Sequence, residues 1–294
     1  MSKVQIITDS NSGITQVEAE KLGIFVIPMP FTINDEEYLE DISITQNEFY
    51  DFLKQNADVK TSQPSQYYLE ELWNELLKDN DELLYIPMSS GLSGTCENAK
   101  RYAEAFGGKV IVVDNKRISV TQKESVFEAI ELSKQNKTAR QIKEYLEETK
   151  DKNSIYIMMG VLSYLKKGGR ISPAAAALGA MLNVKPILSS KGENFEKFAL
   201  VLSAAQGKKK MILKIKSELE TIFKEEYDKG QMIVSVAHTQ NEVEALKFKD
   251  EIMKEFPKLE FHFVDPLSLS VSCHIGPGAL AVALSINSSL KKHS

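Results

Sequence analysis

Cysteine is scarce in this chain. Two residues, Cys96 and Cys273, leave no CxxC pair among 294 positions. Zinc and iron–sulfur sites therefore lack a ligand set, and no metal is expected. So little cysteine fits a reducing compartment, and the expected location is cytoplasmic. The P-loop pattern GxxxxGK[ST] is missing, as is a GxGxxG after a strand, which removes the usual nucleotide cradles. No apolar run reaches bilayer length. "GALAVALSI" (278–286) is too short to span, so stable membrane insertion is not expected. The opening "MSKVQIITDSNS" has too brief an apolar stretch for a signal peptide. Basic charge is not in excess either. A net charge of −5 gives no reason to expect nucleic acid as a partner.

What is present is an ordinary globular composition, 43% hydrophobic and 26% charged, long enough for two medium domains without staples. Apolar runs bounded by turn residues read as buried strands at 4–8, 24–29, 83–88 and 109–114. Helical spacing of apolar residues falls at 45–56, 65–79, 97–106, 121–136 and 138–150, with Ser65 as an N-cap after Pro64. Strand–helix alternation predicts an α/β fold with a largely parallel sheet covered on both faces. A second α/β domain is expected after the polar run "EETKDKNS", giving domains 1–152 and 153–294. Its expected strands are 154–159, 185–190, 195–203, 231–237 and 260–265, and its helices 172–182, 208–227 and 241–256. The turn "SCHIGPGA" (272–279) is expected to open an apolar helix.

In open parallel sheets, ligands sit beyond the carboxyl ends of the strands. Three polar turns are expected at that edge: "TDSNSG" (8–13), "TSQPS" (61–65) and "SSGLSGT" (89–95). Small hydroxyl residues and glycines between a strand and a helix suit an anion. Three readings of the loop around Ser93 stay open at this point. It could bind a phosphate, although no lysine follows. It could carry a serine nucleophile, since Ser93, Asp265 and His274 occur in the order of an α/β-hydrolase triad, with His238 as a second base. The elbow G-x-S-x-G, however, has Thr95 where its last glycine belongs. Or its residues could simply be turn and cap formers. Cys96 reads as a small buried residue, His262 as a structural strand residue, His238 as part of a turn, and "KKK" (208–210) as a solvated face. "PAAAALGAML" (173–182) reads as a close-packing helix or as the lining of a narrow apolar tunnel.

Taken together, "IITDS", "TSQPS", "SSGLSGT", "KKGGRIS" (166–172), "KPIL" and "HIGPGAL" resemble the DegV family of bacterial fatty-acid-binding proteins, in that family's order and across nearly the whole chain. The resemblance implies two α/β domains with a lipid held between them and no cofactor beyond that bound fatty acid. It implies that Thr61, Ser62, Ser93, Gly94 and Thr95 bind the carboxylate with His274 nearby. FakB-like members present the lipid to a separate fatty acid kinase for phospholipid synthesis and supply no catalytic residue themselves. The resemblance also implies a basic docking surface. Arg170 is the candidate there, with a turn-stabilising role as the other reading, while Gln206 stands where an arginine is expected.

Overall fold

The computed structural model describes residues 3–161, 163–176 and 184–287. Two compact units divide the chain. The first comprises Met1–Lys150 and Ser268–Cys273, the second Asp151–Leu267 and His274–Ser294.

The first unit is built on a four-stranded parallel sheet. Its strands are β1 (Val4–Asp9), β2 (Phe25–Ile27), β6 (Glu82–Ile86) and β7 (Val110–Val112), in the order β2-β1-β6-β7. Side chains alternate across a strand, and adjacent residues accordingly enter different cores. Ile6, Leu84 and Ile111 pack with α5 (Val120–Lys134) and α6 (Ala139–Glu148) through Val126, Ala129, Ile142 and Leu146. Ile7, Leu83, Tyr85 and Val112 face α3 (Gln66–Leu76) and α4 (Thr95–Ala103) through Leu69, Trp73, Cys96 and Ala99. Full burial of each such aliphatic or aromatic side chain contributes roughly 1.5–3 kcal/mol, so both faces of the sheet are held between helix layers.

Periodicity placed these helices to within a turn. Its omissions are short: α1 (Gln16–Leu22), and an antiparallel sheet of β3 (Pro30–Ile33), β4 (Glu36–Leu39) and β5 (Val59–Thr61), ordered β4-β3-β5. The β3–β4 turn uses Asn34 and Asp35, both at positive φ, the residue types that tolerate such a hairpin turn. Below it, α2 (Gln46–Lys54) starts with a full capping box between Thr45 and Glu48.

The second unit holds a six-stranded mixed sheet in the order β10-β9-β8-β13-β11-β12: β8 (Asn153–Met158), β9 (Lys185–Ser190), β10 (Glu196–Val201), β11 (Met232–His238), β12 (Glu260–Pro266) and β13 (Leu280–Ile286). Its core joins these strands to α9 (Ala204–Glu220) and α11 (Glu242–Glu255) through Met211, Ile215, Ala245, Phe248 and Ile252. Two expectations change here. The apolar run after Gly278 is the strand β13, not a helix. It pairs antiparallel with β8 and β11, and every one of its residues is buried. A short, nearly all-apolar run carries no clear period, and two open neighbouring strands decided its form. The helix expected over 208–227 ends at Glu220 and resumes as α10 (Lys224–Asp228), because the chain turns Phe223 into the core, where it is 2% exposed. In the small-residue stretch, α8 covers Pro173–Ala176, and the rest of that expected helix lies outside the described residues. Among the described residues no helix is long and apolar enough to cross a membrane.

Candidate ligand-binding site

In the first unit the loops at the carboxyl ends of β1, β6 and β7 form one hydrogen-bonded platform. Asp9, fully buried, ends β1 and gathers it. One carboxylate oxygen accepts the Met88 N–H at 2.9 Å. The other accepts the Asn11 N–H at 3.1 Å, the Asn11 side-chain amide at 2.9 Å and the Gln122 amide at 3.0 Å. Burial raises its pKa and these donors pull it back. Asn11 in turn accepts the Ser119 N–H through its main-chain carbonyl at 3.0 Å. Ser119 adopts φ 55, ψ −136, a backbone region costly for any side chain. Surrounding contacts hold it there.

The loop after β6 rests on this platform. The Ser89 N–H donates to the Arg117 carbonyl at 2.9 Å, and the Lys116 ammonium reaches Ser90 Oγ at 2.5 Å. Leu92 is buried and pins the loop, while Ser93 is half-buried, Gly94 exposed and Thr95 buried. Ser93 Oγ lies 2.9 Å from Thr95 Oγ1 and accepts the Thr95 N–H at 3.2 Å. Gly94 is the N-cap of α4 and carries no side chain to cap it. The first-turn N–H groups of a helix are unpaired within it, so hydroxyls and main-chain donors converge at the start of α4.

The "TSQPS" turn reaches the same place by another route. It does not follow a strand of the parallel sheet. Thr61 ends β5 and pairs with Phe31, and the Ser62 N–H donates to the Pro30 carbonyl at 3.0 Å. Gln63 makes the connection, accepting the Asn98 amide at 2.6 Å. A Cβ on Gly94 would stand 2.7 Å from Gln63 Nε2, so Gly94 permits this close approach. Ser65 caps α3 by accepting the Tyr68 N–H at 3.2 Å, as its position after Pro64 suggested.

His274 belongs to the second unit, in the last turn of α12 (Leu269–Ile275). Its ring packs on the "KKGGRIS" turn, where a Cβ on Gly168 would stand 2.1 Å from Nδ1. Burial, reinforced by the Arg170 charge, lowers its pKa to about 4, so the ring is neutral at pH 7. Arg170 follows α7 (Ser163–Gly168) and donates to the Gly168 carbonyl, a contact within its own turn. Gln206 has a local role as well: its side chain accepts the Leu202 N–H at 3.0 Å, while its own N–H donates to the N-cap Ser203 at 3.2 Å. His238 Nδ1 accepts the Asn241 N–H at 3.3 Å in a turn.

Cys96 is fully buried, and burial pushes its thiol up to about 12. Cys96, Glu97 and Asp114 could present ligand atoms within 4.8 Å of one another. Lys100 already bridges both carboxylates there, at 2.8 and 3.3 Å, so their charge is met by an ammonium.

The family model described as "uncharacterised protein, DegV family" matches residues 3–287. The chain belongs to the DegV family. It is 32% identical to Protein DegV of Bacillus subtilis over 285 residues, covering 95% of this chain and 98% of that one. The solved structure of a DegV family protein from Thermus thermophilus, described for its fatty acid binding, superposes with a TM-score of 0.87 at 25% identity, covering 97% and 99% of the two chains. That of DegV from B. subtilis, described as a fatty acid binding protein, gives 0.82 at 28% identity, covering 98% and 100%. The α/β architecture with a parallel sheet in the first unit is thus that of its DegV relatives.

Proposed function

We propose that the protein binds a long-chain fatty acid. Its carboxylate is held by the Thr61–Ser62 turn and by Ser93, Gly94 and Thr95, and the lipid is presented to a separate fatty acid kinase that makes the acyl phosphate for phospholipid synthesis. The observation that supports this reading is the start of α4, where the N-cap Gly94 brings no side chain and the Ser93 and Thr95 hydroxyls lie 2.9 Å apart. Hydroxyl and main-chain donors make a partly buried carboxylate tolerable. The acyl tail supplies most of the affinity, at roughly 0.8 kcal/mol per buried CH₂, and the donors fix where the head group lies. Short hydroxyls leave one carboxylate oxygen uncovered for attack on a phosphate, which an arginine fork would not. Arg170 is the proposed docking residue for the kinase.

In this reading the chain contributes no catalytic step. Ser93 is engaged with Thr95, and among the serines of the described residues it is Ser119 that has a positive φ. Mass spectrometry of an organic extract of the purified protein tests the proposal: a fatty acid at near-stoichiometric amount supports it. Labelling of Ser93 by a fluorophosphonate, abolished by His274→Ala, would install an esterase in its place.

A further inference from the structure

Glu40 follows β4, outside the loops assigned to the ligand, and is 6% exposed. One carboxylate oxygen accepts Ser10 Oγ at 2.7 Å and has Ser270 Oγ 3.4 Å away, and the other accepts the Leu269 N–H. Ser10 Oγ also accepts the Met29 N–H at 3.1 Å, and Ser270 Oγ donates to Asn11 Oδ1 at 2.5 Å. A single carboxylate therefore ties three distant stretches of the first unit. These are the turn after β1, the end of the β3–β4 hairpin, and the segment Ser268–Cys273, which comes from near the end of the chain and opens α12. These partners are hydroxyls and main-chain N–H groups, so dipoles and not a cation face its charge.

Titratable groups on the packing elements are Asp9 at the end of β1, Cys273 on α12 and Tyr50 on α2. Tyr50 donates to Ser272 Oγ at 3.0 Å. Burial and then the Glu40 charge hold the Cys273 thiol protonated, and burial raises Asp9. Burial likewise pushes the Glu40 carboxyl up to about 7, against the lowering pull of Ser10, Leu269 and Ser270.

We infer that Glu40 is a positioning residue whose protonation state sets how firmly Ser268–Cys273 is held against the Asp9–Ser12 turn, and through that turn the proposed ligand platform. Its ligand consequence rests on the fatty-acid reading; the segment's attachment does not. With the segment closed, the carboxyl is buried; with it open, the carboxyl is hydrated and an ordinary acid. The closed form thus binds the proton more tightly. Opening becomes more favourable as pH rises from the ordinary carboxylate range towards 7, and levels off above it.

Hydrogen exchange on the full chain, without added lipid, tests this at pH 6 and pH 8, with rates expressed as protection factors. Amides of Leu269–Ile275 should lose about tenfold protection from pH 6 to pH 8, while those of β6 hold constant. Glu40→Gln should abolish the difference. If that variant does not fold, Ser10→Ala removes the 2.7 Å hydroxyl donor to the ionised form and should move the loss of protection to higher pH. Equal protection of the wild-type segment at both pH values overturns the inference. Palmitate titrations at the same pH values form the separate ligand arm. Affinity that depends on pH in the wild type but not in Glu40→Gln extends the effect to the site. Absence of palmitate binding at either pH overturns the fatty-acid reading and leaves the exchange result to decide Glu40.

Discussion

The main-chain carbonyl of Arg117 accepts the Ser89 N–H at 2.9 Å while its guanidinium, 0% exposed, lies 3.7 Å from the Glu128 carboxylate. The same residue anchors its own loop through Ser125 Oγ at 3.3 Å and the Thr149 carbonyl at 3.1 Å. A buried ion pair thereby sets the level at which the Ser89–Thr95 loop leaves β6. Burial lowers the arginine pKa and Glu128 raises it.

Arg117→Met should cost about 3–5 kcal/mol, because it leaves the Glu128 charge buried without its partner. Adding Glu128→Gln should restore a large part. Denaturant midpoints of the two variants check this, and equal midpoints would show that the pair is not coupled.

Ser93→Ala should weaken fatty acid binding by roughly tenfold to a hundredfold, the worth of one hydroxyl donor to a charged group. Thermal stability should change little, since the side chain is half-buried and bonds only locally. Palmitate titration with a melting curve on the same sample separates the two effects. Unchanged affinity in both Ser93→Ala and Thr61→Ala would remove the hydroxyl loops from the site.

Gly160→Ala should destabilise the second unit by about 1–3 kcal/mol. The added Cβ would stand 2.3 Å from the Pro277 carbonyl, a backbone atom that cannot step aside. Gly168→Ala meets a side chain, His274. It should cost less stability and shift the His274 ring resonances. A melting temperature for Gly160→Ala equal to that of the wild type would refute the close approach.

The His274 imidazole should stay neutral from pH 8 down to about pH 5. Its folded pKa of about 4 lies below the ordinary 6.5, from burial and then Arg170. The neutral ring is therefore favoured by folding. That contribution is complete above pH 6.5 and is lost as pH falls through 4. Ring proton shifts across this range give the midpoint, and a value above 6 contradicts the burial seen here.

Much of the fold can be read directly from residue order. Period-3.6 patterns mark α2, α3 and α6, the hydroxyl N-cap Ser65 marks α3, and short apolar runs bounded by turns mark β1, β6, β8 and β11. These signals are local, and capping and amphipathic burial act within a few residues. The hydroxyl loops were legible for the same reason, since Ser, Thr and Gly at a strand-to-helix turn announce themselves. Glu40, Gln122 and Arg117 did not stand out. The helix expected over 121–136 opens with polar residues, yet Gln122, Lys123, Glu124 and Glu128 are all buried. Their partners come from distant stretches of the first unit: Gln122 meets Thr8 and Asp9, Lys123 meets Glu18 of α1, Glu128 meets Arg117 and Tyr145 of α6, and Glu40 meets Leu269 in the returning residues 268–273. β13 makes the same point in apolar form: its sequence allows helix or strand, and the open edges of β8 and β11 selected the strand. Local chemistry determined the elements and the hydroxyl loops. Long-range pairing decided which polar groups could be buried, because a buried charge persists only where distant segments bring it donors.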